Sequence, residues 1–90
     1  MNLIYSHSYA SARTFAMSHE LMPGDWKWIT DASVVRQNPR ADVYKVPKWE
    51  ANPHRDDIDE ALEHARQQHR LGGFYDVSRG GASTLGVSGG

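Results

Sequence analysis

The sequence predicts a small α/β protein, a Rossmann-like half-unit with a mostly parallel sheet of three strands and two main helices. Two observations support this prediction. Short apolar or aromatic runs alternate with helix-forming segments across residues 2–70, which is the order typical of parallel α/β layers. A serine-rich turn follows the first run and opens an amphipathic segment, as at the start of a βαβ unit.

The first strand and helix are predicted at the start of the chain. Residues 3–6 are apolar on both faces, as in a central strand. Ser8 has the side chain that caps a helix, and Pro23-Gly24 is expected to end that helix. An apolar stripe at three- and four-residue spacing would face the core, and it comprises Ala12, Phe15, Ala16 and Met22.

Two further strands and a turn follow. Residues 26–30 form a short aromatic strand in which Trp26 and Trp28 share one face. Residues 31–37 can form a helical turn capped by Asp31, and residues 41–47 a third strand whose Lys45 favours an edge position. Right-handed crossovers give the order 2-1-3. The connection of about ten residues is short for a parallel crossover, so an antiparallel third strand is the alternative.

The second main helix is predicted from Pro53 or Asp56 to Arg70. Its acids gather at the N-terminus and its bases at the C-terminus, as the helix dipole favours. Asn52-Pro53 supplies a cap and a first helical residue, and Gly72-Gly73 ends the helix. The glycine- and serine-rich composition of residues 73–90 predicts a flexible tail after a domain at 1–72. Phe74, Tyr75 and Val77 could hold the first part of that tail against the domain.

Composition narrows the function classes. The ten basic residues are scattered and balanced by eleven acids, so nucleic acid is not an expected partner. No apolar run is long enough to span a bilayer, no secretory signal is expected, and cysteine is absent. We therefore expect a cytoplasmic protein that does not interact with membranes.

One candidate ligand site lies at the predicted carboxyl ends of the strands, where open parallel sheets bind ligands. The free N–H groups of the first helix favour an anion there, such as the phosphate of a nucleotide. Against this, serines at a helix start are usually only caps, and neither a Gly-x-Gly-x-x-Gly nor a Walker-type motif is present. The candidate residues are Ser6, His7, Ser8, Ser11, Asp31, Lys48 and Trp49.

Catalytic and metal sites are not expected. His7 is the one histidine in the candidate site, and a Ser–His nucleophile also needs an orienting partner and an oxyanion hole. His64 and His69 are five residues apart, which puts them on different faces of a helix. The sequence therefore favours a non-enzymatic role with no cofactor.

The aromatic residues suggest a second function. Tyr5, Trp28 and Tyr44 could simply fill the core of a small domain. However, two helices can cover only one face of the predicted sheet, and parallel sheets are normally covered on both. The other face must meet the tail, residues 31–40 or another protein. We therefore predict a partner surface or self-association at Trp26, Trp28 and Tyr44.

The chain also resembles small uncharacterised accessory proteins of phages that infect actinobacteria. The resemblance covers residues 2–70 and depends on the alanine-rich segment 12–21, the Pro-Gly-Asp-Trp-Lys-Trp-Ile run at 23–29, and residues 43–49 with Pro53. It departs at Gln37, where the family pattern has glycine after Arg36. It implies an accessory protein that acts in the host cytoplasm by binding a host protein. The alternative is a minimal Rossmann-like nucleotide or phosphate binder.

Overall fold

The structure of the protein is a computed structural model that describes residues 1–78. It contains β1 (Asn2–Tyr5), α1 (Tyr9–Ser18), β2 (Trp26–Trp28), α2 (Ala32–Gln37), β3 (Asp42–Lys45), a 3-10 turn (Trp49–Ala51), α3 (Arg55–Gln67) and β4 (Phe74–Asp76). The strands form one sheet in the order β2-β1-β3-β4, and every neighbouring pair is parallel. The predicted α/β class is confirmed, and so is the parallel direction of the third strand.

The sheet has a fourth strand that the sequence did not predict. β4 lies in the segment that was predicted as the start of the tail, and it pairs with Val43 to Lys45 of β3. Gly72 permits this pairing, because a Cβ there would lie 2.5 Å from the carbonyl oxygen of Arg40. The sheet therefore extends past the predicted boundary at residue 72. The rest of the predicted tail, residues 79–90, lies outside the described residues.

The third strand is internal, so the predicted edge position was wrong. β3 lies between β1 and β4. Lys45 is accommodated because its ammonium lies 3.6 Å from the centre of the Trp49 ring, while its aliphatic stem can cover apolar surface.

Helices cover both faces of the sheet. α2 and α3 pack on the face that presents Leu3, Tyr5 and Val43, and Ile58 of α3 is fully buried there. α1 packs on the opposite face, and the buried core there consists of Ile4, Ala12, Ala16 and Val46. The expectation that the two main helices cover the same face was therefore wrong, because α1 and α3 lie on opposite faces. Residues 31–40, one of the three covers expected for the second face, supply α2, which packs beside α3.

The helix starts are better predicted than the helix ends. Ser8 and Asp31 cap α1 and α2, as predicted. α1 ends at Ser18, before Pro23, with Glu20 in the left-handed region (φ 57°) and a 2.9 Å bond from Leu21 N–H to the carbonyl of Ala16. Met22 therefore lies beyond the helix and is 65% exposed, so it does not belong to the buried stripe.

The second main helix also differs at both ends. α3 begins at Arg55 with His54 at the cap position, so Asn52-Pro53 is not its cap and first residue. It ends before Gly72, because His69 takes the left-handed conformation (φ 57°) and Arg70 N–H bonds back to the carbonyl of Ala65 at 2.8 Å. Gly72 serves the entry to β4 instead.

Candidate functional site

Most of the predicted ligand residues follow the carboxyl ends of parallel strands. Ser6, His7 and Ser8 follow β1, Asp31 follows β2, and Lys48 follows β3. The strand order reverses between β1 and β3, and a ligand crevice would be expected beyond the carboxyl ends of these two strands.

Internal hydrogen bonds use the polar groups of Ser6 at the end of β1. Ser6 is fully buried, and its hydroxyl donates to the carbonyl of Ser8 at 2.8 Å. The carbonyl of Ser6 accepts from the Trp28 indole N–H at 3.2 Å and from the Asn52 amide at 2.9 Å. In this conformation neither polar group of Ser6 is presented to a ligand.

Asn52 is the residue at this edge that the sequence did not identify. It is 3% exposed, and its amide also donates to the carbonyl of Ile29 at 3.1 Å. Its side-chain oxygen accepts the N–H of His54 at 2.8 Å. Asn52 thus ties the ends of β1 and β2 to the start of α3. An Asn-Pro pair in a loop is a common local cap signal, so nothing in the sequence indicates that this side chain turns inward.

The two cap residues are satisfied by their own helices. The Ser8 hydroxyl accepts the N–H of Ser11 at 3.2 Å. Asp31 accepts the Ser33 hydroxyl at 2.5 Å and the Ser33 N–H at 2.9 Å. These bonds, the hydroxyl first, hold the pKa of Asp31 below its usual range, and the charge of His54 acts in the same direction. Both residues play the structural part that the alternative interpretation gave them.

The remaining ligand candidates differ in how available they are. His7 is half-buried, and its Nδ1 atom is buried without a hydrogen-bond partner in the described part of the chain. Lys48 is exposed, with its backbone in the left-handed region (φ 69°). Trp49 is half-buried, with Lys45 against its ring and the Tyr5 ring 5.3 Å away. Lys48 is thus the one ligand candidate that is exposed to solvent.

Tyr5 links β1 to α3 through its side-chain hydroxyl. Its hydroxyl donates to the Asp59 carboxylate at 2.8 Å and lies 3.2 Å from the carbonyl of Arg55. Burial, followed by the hydrogen bond to Asp59, raises the pKa of Tyr5 far above its ordinary value. The phenol therefore stays neutral and is a structural group.

The aromatic candidates lead to a different site, a groove of about 600 Å³ between α1 and β2. We call it the edge groove, and its apolar lining consists of Tyr9, Met17, Leu21, Trp26 and Trp28. Tyr9 is 55% exposed and stacks on Trp26, with 5.7 Å between ring centres, and its ring also meets Trp28 edge-on. Met17 is 63% exposed. Two of the three predicted interface residues therefore line one open apolar surface.

The third interface candidate, Tyr44, lies elsewhere. It is half-buried on the α1 face, between Phe15 and Tyr75, with ring centres 5.5 and 5.0 Å away. Burial raises its pKa, and Asp42 adds to the effect. Tyr44 belongs to the packing over β3 and β4 and is not part of the edge groove.

The charges around the edge groove have one sign. Arg13 and Lys27 line it, and no carboxylate does. Neither cation forms an ion pair with another residue in the described part of the chain. The groove is therefore an apolar surface with a cationic rim.

A second concave surface lies between α2 and α3. Its volume is about 440 Å³, and Arg36, Glu60, His64 and Arg70 surround an apolar floor. Both helices end at this side, and basic residues near helix C-termini offset the negative end of the helix dipole. The helix ends therefore account for Arg36 and His64 but not for Glu60, which lies in the middle of α3.

Within residues 1–78, no group of three or more His, Cys, Asp or Glu side chains is placed to hold a metal ion. No helix of the same residues combines the length and apolar character needed to cross a membrane.

No protein-family model matches the chain, and no curated protein or solved structure matches it either. The class of the protein is therefore defined by its fold, an α/β layer with a parallel sheet of four strands within the described residues.

Proposed function

We propose that this protein is a non-enzymatic binding protein that recognises a protein partner through the edge groove. The observation that supports the proposal is the groove itself, in which aromatic and methionine side chains remain open to solvent beside α1. The resemblance to phage accessory proteins makes a host protein the partner to seek, with the host cytoplasm as the location. Self-association through the same surface is the other mode of the same function.

The physical reason is the composition of the groove. Tyr and Trp are the residues that most often dominate binding energy, and each such anchor can contribute about 2 kcal/mol or more when a partner excludes water from it. Trp26 and Trp28 are held in position by β2 and by the Tyr9 ring, so little side-chain entropy is lost on binding. Met17 adds an adaptable apolar contact.

The test is a selection of random peptides on the folded protein, with counter-selection on the Met17→Glu variant. Because Met17 is exposed, this change places a charge in the groove without disturbing the core. Thr14→Glu is the matched control, on an exposed part of the same helix that does not line the groove. We expect binders that are retained by the control and lost by Met17→Glu. Peptides that bind both variants as well as they bind the wild type, or a selection that yields no binder, would refute the proposal.

Self-association has its own measurement. Sedimentation at increasing protein concentration reports the oligomeric state of the wild type and of Met17→Glu. A dimer that the glutamate dissociates would identify a second copy as the occupant of the groove. A monomer in both cases leaves a different protein as the partner.

The alternative function is a minimal Rossmann-like binder of a nucleotide or phosphate at the carboxyl ends of β1 and β3. The observation that favours it is His7, whose buried Nδ1 has no partner in the described chain and lies beside the N-terminus of α1. Titration with inorganic phosphate and adenosine monophosphate, followed by the NMR signals of the His7 ring, tests this function. Unchanged signals at millimolar ligand would exclude it, and a saturable shift lost in Ser8→Pro would support it.

A further inference from the structure

The outer edge of β2 has two residues whose backbone polar groups are not used by the sheet. Asn2 N–H bonds to the carbonyl of Asp25, and Ile29 N–H bonds to the carbonyl of Ile4. In a parallel ladder this pattern assigns Asp25, Lys27 and Ile29 to the bonds with β1. The N–H and C=O groups of Trp26 and Trp28 therefore point away from β1, toward the edge of the sheet that no strand within residues 1–78 pairs with.

The same two residues present their side chains to the edge groove. Trp26 and Trp28 lie on the α1 face of β2, and Lys27 lies between them on the opposite face. A strand added at this edge would thus find free main-chain groups at every second residue. Its side chains on the α1 face would meet Trp26, Trp28 and Tyr9, and those on the other face would lie near Lys27.

The charge on this strand argues against a second copy of the chain as the occupant. Two β2 strands paired antiparallel in the register that sets Trp26 opposite Trp28 would bring Lys27 opposite Lys27, and like charges in cross-strand pairs are destabilising. A segment whose carboxylates lie on the Lys27 face would instead pair with that lysine, which has no ionic partner in the described part of the chain.

We propose that the partner contributes an extended segment of alternating apolar and acidic residues, which adds to the sheet as a strand beside β2. This inference rests on the proposed function of the edge groove and specifies its partner. The apolar side chains enter the groove, the carboxylates face Lys27, and main-chain hydrogen bonds to Trp26 and Trp28 fix the register.

The experiment uses a synthetic peptide of roughly seven residues, with leucine or valine alternating with aspartate, blocked at both ends. Three matched peptides carry lysine in place of aspartate, the same residues with the alternation broken, or N-methyl groups on the amides that would pair with β2. Binding is measured by isothermal calorimetry, and amide hydrogen exchange locates the contact. Trp49, on the other face of the sheet, serves as the internal reference.

We expect the alternating acidic peptide to bind and to slow exchange of the Trp26 and Trp28 amides. The lysine, rearranged and N-methylated peptides should each bind about tenfold more weakly or not at all. In the Lys27→Glu variant the preference between the aspartate and lysine peptides should reverse.

The failure of this inference is distinguishable from failure of the proposed function. If the random selection yields groove-dependent binders that tolerate N-methylation or show no preference for acids, strand addition is wrong and the edge groove is still a binding site. If the selection yields no groove-dependent binder and the designed peptides do not bind, both proposals are wrong.

Discussion

Asn52→Ala tests the organisation of the carboxyl edge of the sheet. The substitution removes the bonds to the carbonyls of Ser6 and Ile29 and the bond from His54 N–H. A net contribution of about 0.5–1.5 kcal/mol for each hydrogen bond gives a loss of about 2–4 kcal/mol. Loss of the bond to the Ile29 carbonyl should cost most within the range for one bond, because this carbonyl is left buried. Loss of the bond to the Ser6 carbonyl should cost less, because this carbonyl still accepts the Trp28 indole N–H.

Urea unfolding followed by tryptophan fluorescence measures this loss. A domain of this length has roughly 5–13 kcal/mol of stability, and a slope of about 1 kcal/mol per molar urea makes the midpoint fall by roughly 2–4 M. Asn38→Ala is the matched control, because the Asn38 amide makes one bond, to Val34 in its own helix at 2.8 Å. We expect the control to cost about 1 kcal/mol. If Asn52→Ala costs no more than the control, the bridging role of Asn52 is refuted.

Asn52→Asp tests the same set of hydrogen bonds by replacing the side-chain amide of residue 52 with a carboxyl group. A carboxylate here would face the two carbonyl oxygens that Asn52 now donates to. The folded state would therefore favour the protonated acid, and its pKa would be raised above the unfolded value of about 4. A group whose pKa is raised in the folded state contributes less to stability as pH rises. The variant should therefore have a lower free energy of unfolding than the wild type at neutral pH, and the difference should shrink as pH falls toward 4. A parallel pH profile for the two proteins would contradict the argument.

Two further predictions concern Ser8 and Tyr5. Ser8→Ala should lower the free energy of unfolding by about 1 kcal/mol through loss of the α1 cap, whereas Ser18→Ala, at the exposed end of the same helix, should change it by less than about 0.5 kcal/mol. Equal effects in chemical unfolding would contradict the capping role. Neutral Tyr5 stabilises the fold, so this contribution is complete below pH ~10 and is lost as pH rises above that unfolded pKa. Tyr5→Phe should flatten the alkaline side of the stability profile, and an unchanged profile would refute this assignment.

The first half of the fold was predictable because its signals are local. Ser8 and Asp31 cap the helices that follow them within three residues, and the apolar run of β1 is central wherever its partners lie. β4 was not predictable, because its Phe-Tyr-Asp segment lies among glycines and its strand identity comes from β3, about thirty residues earlier. The interior position of β3 was not predicted for the same reason, because β4 is the strand that pairs with its outer side. Helix ends were misplaced because Glu20 and His69 take a conformation that usually indicates glycine.

The candidate sites divide in the same way. Sequence could gather Ser6, Asp31 and Lys48 at one edge of the sheet because parallel strands share a direction. It could not indicate that Asn52 and the Trp28 indole would occupy the Ser6 carbonyl, since those contacts join residues 46 and 22 positions apart. Trp26 and Trp28 were predicted as an interface because one face of the sheet was expected to be uncovered, and that reason was wrong. The groove beside them depends instead on where α1 crosses β2.

Trp28 links the edge groove to the carboxyl ends of the strands. Its indole N–H donates to the carbonyl of Ser6 while its ring lines the groove, so this one bond helps to fix the orientation of the ring. The bond does not count against an anion at the start of α1, because a carbonyl oxygen is an acceptor and would not bind a phosphate. What distinguishes the two surfaces is that the serine hydroxyls near α1 are used by bonds within the chain, whereas the outward main-chain groups of Trp26 and Trp28 are not used by the sheet.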